Sequence, residues 1–267
     1  MELRLLCVGD LVGRPGRRVL REALKVIVPQ RKIDCVIVNA ENAAAGSGIT
    51  PALHEEIIGY GADVVTLGDH IYRRRDIIPV LETSDNIVRP ANFPVSAPGK
   101  GFLVFETASS HRVAVISLLG RIFMKMPSNC PFAAVDQVLA GLSKDVKIIA
   151  VDMHAEATSE KVAMGWHLDG RVSVLFGTHT HVPTADERVL PKGTAYVTDL
   201  GMTGPYDSVL GREKERVLRT MTTAVPSQFD VATDDVRLSG AIVCVESSTG
   251  RATSIERIMF NGTAEVK

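Results

Sequence analysis

Five apolar runs in this chain break off into short polar clusters: Gly9-Asp10, Asn39-Ala40-Glu41-Asn42, Gly68-Asp69-His70, Asp152-Met153-His154 and Gly177-Thr178-His179-Thr180-His181. The runs are short and rich in Val, Ile and Leu, as buried strands are, and helical patterns lie between them. That rhythm is β-α-β-α and predicts an α/β fold. In open α/β sheets ligands sit outside the carboxyl ends of the strands, so clusters spread over most of the chain can meet in one crevice.

The pattern predicts strands at Leu3 to Val8, Ile33 to Val38 and Asp63 to Leu67, then at Gly101 to Phe105, Arg112 to Leu118, Lys147 to Val151, Val172 to Phe176 and Thr194 to Val197. Helices are expected at Pro15 to Val28, after Thr50-Pro51, around Asp76 to Leu81, and at Ala133 to Leu142, Glu156 to Met164 and Arg212 to Thr223. Thr50 followed by Pro51 is an N-cap and a first-turn proline. From Gln228 onward, Phe229, Val231, Val236, Leu238, Ile242, Val243 and Val245 suggest strands joined by turns.

A chain of 267 residues suits one large domain over residues 1–267, and 45% hydrophobic with 23% charged residues is the balance of a globular protein. Net charge is −1, so no long-range field recruits nucleic acid or an anionic membrane. No apolar stretch nears the roughly 20 residues that span a bilayer. The run LRLLCV, cut short by Gly9-Asp10, reads as a first strand rather than a signal peptide. Cys7, Cys35, Cys130 and Cys244 form no CxxC pair and are expected as reduced thiols of a cytoplasmic protein.

The clusters hold a consistent ligand set. Carboxylates of Asp10 and Glu41, an oxygen of Asn42 or Asp69, and imidazoles of His154, His179 and His181 make a mixed nitrogen and oxygen set suited to Mn, Fe or Zn. Six or more ligands exceed the need of one tetrahedral ion and point to two ions sharing a bridging carboxylate, about 3.5–4 Å apart. Such a pair lowers the pKa of a bridging water, orients a phosphoester and neutralises its oxygens. A strand continued through His179 and His181 would aim both the same way.

The same stretches resemble the calcineurin-like metallophosphoesterase superfamily, whose blocks run strand-end Asp, acidic bridge, Gly-Asn-His, a later His and Gly-His-x-His. More closely the chain resembles the bacterial YmdB-type phosphodiesterase family, through GDLVGRPGR, NAENAAAGSGIT, RPANFP, DMHAEATSEK, GTHTHVPTAD and TDLGMTGPYDS, nearly end to end. The resemblance implies an α/β/β/α sandwich with mixed sheets and a dinuclear site, Fe or Mn ahead of Zn or Mg, acting on 2′,3′-cyclic nucleotides through a metal-bridging hydroxide. It also implies a homo-oligomer. By position, Asp10, Glu41 and His181 would hold one ion, and Glu41, Asp69, His154 and His179 the other. Asn42 would be a ligand or orienter, and His70 the general acid.

One position departs from the pattern: Gly68-Asp69-His70 stands where the family reads Gly-Asn-His, and Ile71-Tyr72-Arg73 replaces its Thr-Trp-Asp. An aspartate still supplies an oxygen but adds a charge. This keeps a rival in view, a regulatory module that binds a nucleotide or protein and retains the metal centre with little turnover. An amidohydrolase or β-lactamase-like hydrolase fits less well, because the H-x-H pair comes at the fifth cluster and is followed by Val182-Pro183.

Other residues take structural readings. Arg73-Arg74-Arg75 reads as a solvated face, and His54 as exposed on its helix. Trp166 reads as packing at a helix end. Asn92 and Arg121 need only turn and surface roles. Arg14, Arg17 and Arg18 suit either a solvated helix start or anion binding there. Asp186 and Asp199 suit either caps or partners that orient a ligand imidazole. His111 and His167 carry no partner pattern.

Overall fold

The computed structural model describes residues 2–261. Strand β1 (Glu2–Val8) passes through Gly9 into the short β2 (Asp10–Leu11) and then α1 (Gly13–Arg31). This helix extends past the expected Pro15 to Val28 and closes at Lys32, whose left-handed backbone lets its N–H donate to Val28 O. Next come β3 (Cys35–Asn39), α2 (Pro51–Gly59), β4 (Val64–Thr66), α3 (Ile78–Thr83) and β5 (Ile87–Val88). As the sequence predicts, Thr50 Oγ1 accepts from Leu53 N at the start of α2.

The second half runs β6 (Phe102–Glu106), β7 (Arg112–Leu119), α4 (Pro131–Gly141), β8 (Ile148–His154), α5 (Thr158–Leu168), β9 (Val174–Thr178), β10 (Arg188–Val189), β11 (Ala195–Val197), β12 (Met202–Pro205), α6 (Lys214–Thr223), β13 (Val236–Glu246) and β14 (Ala252–Phe260). The C-terminal strands begin at Val236, not near Gln228, and Val231 makes only an isolated bridge to Arg212. Strands β2, β5, β10 and β12 are too short to show a period in sequence.

The strands form two mixed sheets. One has the order β2-β12-β13-β1-β3-β4-β5, with β14 also paired to β13; β1, β3, β4 and β5 run parallel, while β13 is antiparallel to β1, β12 and β14. The other has the order β10-β11-β9-β8-β7-β6, with a parallel centre and antiparallel edges.

Alternation along the strands distributes the core into three layers. Leu5, Cys7, Ile37 and Val64 of the first sheet pack against Val113, Val115, Ala150, Val174 and Phe176 of the second. On the opposite face of the first sheet, Leu6, Val8, Val36 and Val38 meet Leu20, Leu24, Ile27 and Ile57 of α1 and α2. Ile116, Val151 and Leu175 of the second sheet meet Val135, Met164 and Leu168 of α4 and α5. The order is therefore helix, sheet, sheet, helix, the expected α/β/β/α sandwich. Among the described residues no helix is long and apolar enough to cross a membrane.

Candidate metal centre

The five polar clusters meet at one edge of the sandwich. Glu41 and Asp69 follow β3 and β4, His154 ends β8, and His179 follows β9. One ligand atom from each of Glu41, Asp69, His154 and His179 lies within 4.8 Å of all the others. His154 Nε2 is 3.3 Å from Glu41 Oε2 and 3.2 Å from Asp69 Oδ1, and His179 Nδ1 is 3.4 Å from Asp69 Oδ1.

Asp10 and His181 flank this group. Asp10 Oδ1 is 3.9 Å from both His154 Nδ1 and His181 Nε2. Its other oxygen accepts the His179 backbone N–H at 2.9 Å. Asn42 ties the flank together: its Nδ2 lies 3.2 Å from both Glu41 Oε1 and His181 Nε2, and its Oδ1 lies 2.7 Å from His70 Nδ1. The His70 backbone N–H donates to Glu41 Oε2 at 3.0 Å.

Hydrogen bonds around the imidazoles decide which nitrogen faces inward. His154 Nδ1 is 2.8 Å from Thr178 Oγ1, which donates to Asp152 Oδ1 at 2.7 Å. The other Asp152 oxygen accepts from Asn39 Nδ2 at 2.9 Å and Thr66 Oγ1 at 2.5 Å. With Nδ1–H donating to Thr178, the Nε2 lone pair of His154 is free for the cluster. His181 Nδ1 points to Leu210 O at 3.1 Å, and His179 Nε2 to Glu156 Oε2 at 3.1 Å. The same logic turns His179 Nδ1 toward the cluster and leaves His181 Nε2 as the nitrogen facing Asn42 Nδ2 and Asp10.

The histidine pair is not held by strand alternation. β9 ends at Thr178, and both His179 (φ 97°) and His181 (φ 66°) lie in the left-handed region. Such backbone in a non-glycine residue is costly and persists only where its surroundings impose it. Asp199 does so: its Oδ2 accepts from Thr180 Oγ1 at 2.8 Å and is bound by Lys161 Nζ at 2.6 Å, with both residues of that pair buried. Gly177 lets the Thr198 carbonyl approach, since a Cβ there would sit 1.8 Å from that oxygen. Gly68 does the same for the cluster: a Cβ would stand 2.3 Å from His154 Nε2 and 2.4 Å from Glu41 Oε2.

The electrostatics suit a cation. Burial pushes the Asp10 carboxyl up to about 7, against the pull of His154. Burial also opposes ionisation of Glu41 and Asp69, yet the neighbouring imidazoles hold both below the usual carboxylate range. Burial disfavours a charged His154, but Glu41 and Asp69 raise its pKa well above the ordinary value. Burial pushes His181 down. Asp10 Oδ1 is buried with no hydrogen-bond partner. An orphaned carboxylate oxygen facing two imidazoles is a group that a metal ion satisfies, so the residues present fit one. The carboxylates that favour a proton on His154 would hold a cation in its place.

Several structural readings need correction. His54 is buried, not exposed, with Nε2 2.8 Å from Asn86 Oδ1. Trp166 is 54% exposed and lies beneath the Arg188 guanidinium. Asn92 is buried and donates to the Leu119 and Asn129 carbonyls. Arg17 resolves to a structural role, binding Ala43 O at 2.7 Å and Glu56. Asp186 caps Thr184 and Thr198, away from the imidazoles. Arg73, Arg74 and Arg75 are all exposed as expected, and all four cysteines are unpaired. Sequence reasoning missed Glu156 and Lys161 as supports, and left Asp199 open between a cap and such a support. Neither Glu156 nor Lys161 carries a local pattern, and only membership of the stretch DMHAEATSEK puts them near the site.

A two-sheet sandwich with this cluster at its strand ends defines a protein of metallophosphoesterase type. Residues 6–258 match the model of the YmdB-like protein family, and the chain belongs to that family. It is 44% identical to a 2′,3′-cyclic-nucleotide 2′-phosphodiesterase of Bacillus subtilis, with 97% of each chain covered. It is 34% identical to a putative phosphatase/phosphodiesterase of Mycoplasma pneumoniae, over 96% of this chain and 92% of the relative. Among solved structures, a phosphatase of Mycoplasma pneumoniae superposes with a TM-score of 0.91 at 33% identity, covering 97% of this chain and 94% of that one. A hypothetical protein of Thermus thermophilus gives 0.89 at 39% identity, covering 97% and 99%.

Proposed function

We propose that this protein is a metal-dependent phosphodiesterase that opens nucleoside 2′,3′-cyclic phosphates to phosphomonoesters. The observation that carries the reading is the convergence of Glu41, Asp69, His154 and His179 within 4.8 Å, with the orphaned Asp10 oxygen beside them. The activity named for the Bacillus relative supplies the substrate class. Asp10, Glu41 and His181 would hold one ion, and Glu41, Asp69, His154 and His179 the other, with Asn42 as ligand or orienter. The donor set accepts Fe or Mn, with Zn or Mg as alternatives. Such a group, when bound, would supply a more acidic water and charge neutralisation at the phosphoryl oxygens.

The chain's own residues handle the proton. His70 is held by Asn42 Oδ1 at Nδ1, and its Nε2 stands 3.8 Å from Asp69 Oδ2 at the mouth of the cluster. As a water oxygen bonds to phosphorus with loss of its proton and the P–O bond to one ribose oxygen breaks, His70 Nε2–H donates to that departing oxygen, giving a free hydroxyl and a phosphomonoester. The unpaired cysteines support a reducing, cytoplasmic setting.

The test is turnover of 2′,3′-cyclic AMP and bis-p-nitrophenyl phosphate by purified protein with manganese. His70→Ala should lower kcat by about 10²–10⁴-fold while retaining metal measured by elemental analysis. Wild-type rates in that variant would remove His70 from its role. Nucleotide binding without turnover in the unaltered protein would replace the enzyme with a regulatory module.

A further inference from the structure

A pocket adjoins the metal centre through Asp69. Its volume is about 310 Å³, and it is lined by Asp69, Tyr72, Arg73, Lys125, Met126 and Pro127. Asp69 turns its Oδ1 toward His154 and His179, so it belongs to the ligand cluster, and Arg73 and Lys125 are the cations of the lining. Among the described residues neither cation takes part in an ion pair within the chain. Tyr72 donates its hydroxyl to Pro98 O and packs its ring 6.0 Å from that of Phe93, leaving ring carbon with Met126 and Pro127 as an apolar lining.

This pocket is built rather than incidental. The loop bearing Lys125, Met126 and Pro127 is clamped at both ends by buried polar side chains. Asn92 donates to Leu119 O at 2.7 Å and Asn129 O at 2.9 Å, and accepts from Leu119 N at 2.8 Å. Glu160 accepts from the backbone of Arg121 and Ile122 at 3.0 and 3.2 Å. On the facing side, the Arg73 Cβ packs on Gly48, where an added Cβ would meet it at 3.1 Å. Two exposed cations free of ion pairs, beside an apolar lining, suit an anionic ligand portion.

A nucleoside 2′,3′-cyclic phosphate brings a single anionic group, and the metal cluster takes it. We propose that Arg73 and Lys125 form a subsite for a second phosphate, so that the preferred substrate is a 2′,3′-cyclic phosphate whose ribose also carries a 5′-phosphoryl group. That group is a 5′-monophosphate or the internucleotide phosphate of a short RNA end. The inference rests on the phosphodiesterase reading above.

The test compares 2′,3′-cyclic AMP, its 5′-phosphorylated form and a dinucleotide ending in a 2′,3′-cyclic phosphate. Wild-type kcat/KM should favour the two phosphate-bearing substrates by about tenfold, with the preference shrinking at high salt. The double variant R73Q/K125Q should bring the ratio to within about twofold of one, and R73K/K125R should restore it. Preference for the monophosphate alone would assign the site to mononucleotides, and preference for the dinucleotide as well to RNA ends. Equal kcat/KM for all three substrates, or a ratio unmoved in R73Q/K125Q, overturns the subsite. Calorimetric binding of the same ligands to metal-loaded His70→Ala reads the preference without turnover. Absence of turnover in the wild type would then sink the phosphodiesterase reading, while the binding ratio still decides the subsite.

Discussion

At Asp69 the chain carries a carboxylate where the metallophosphoesterase resemblance implies an amide, and its oxygen sits 3.2 Å from His154 Nε2. A carboxylate attracts a cation more strongly than an amide does, and it makes a water held there more basic. Asp69→Asn is therefore expected to weaken metal binding by about tenfold and to raise or broaden turnover. Titration calorimetry together with the phosphodiesterase rate checks this, and unchanged values of both would leave the charge without consequence. Glu156 is the second residue-scale case. It is 51% exposed, yet its Oε2 faces His179 Nε2 and sets which ring nitrogen is free. Glu156→Ala should cost about 10–100-fold in metal affinity, and Glu156→Gln, which still accepts a hydrogen bond, should recover most of it. A retained affinity in the alanine variant would show that the strained backbone alone holds the ring. Asp10, Glu41 and His154 were legible because their residue types are costly to place at buried strand ends without a purpose. Glu156 was not, because an exposed glutamate near a helix start is ordinary.

At the scale of elements, α5 and the turn carrying His179 and His181 are joined by one buried ion pair. Lys161 on α5 reaches Asp199, which also holds Thr180 and the Gly201 N–H at 2.7 Å. Removing one member leaves the other charged and buried, so Lys161→Met should destabilise the fold by about 3–5 kcal/mol. Urea unfolding measures that loss, and the double variant Lys161→Met/Asp199→Asn should recover part of the stability while still loosening the turn and lowering metal affinity. A loss in Lys161→Met below about 1 kcal/mol would place the pair among ordinary surface bridges. Most elements were readable from periodicity, with boundaries shifted by a few residues, as at α5 and β8. His54 departs from what helical periodicity implies. It occupies a helix whose neighbours include Glu55 and Glu56, so it reads as surface, but the loop before β5 covers it and Asn86 supplies its partner.

At the scale of the whole molecule, the ligand cluster draws Glu41 and Asp69 from one sheet and His154 and His179 from the other. Beneath it, Asn39 and Thr66 of the first sheet bind Asp152 of the second. Ions at the cluster would therefore clamp the two sheets together and stabilise the native state alone. Manganese at about 100 times its Kd should add about 2.7 kcal/mol, and a chelator should lower the melting temperature by the corresponding amount. Thermal unfolding with and without chelator reads this directly, and an unchanged melting temperature would mean that the cluster holds no ion in the folded protein.

The sequence by itself determined the α/β class, the order of most strands and helices, and the residues from which the site is drawn. It could do so because alternation and helical period reflect burial, and burial acts along the local chain. Tertiary structure alone decided how far apart those residues stand, which imidazole nitrogen faces inward, and that Asp199 and Lys161 hold the histidine turn. It also decided that Arg73 and Lys125 share a pocket with Asp69. The physical reason is that hydrogen bonding and Coulomb interaction depend on distance between groups, and that distance is set by sheet packing between segments more than a hundred residues apart in some cases, such as Asn39 and Asp152.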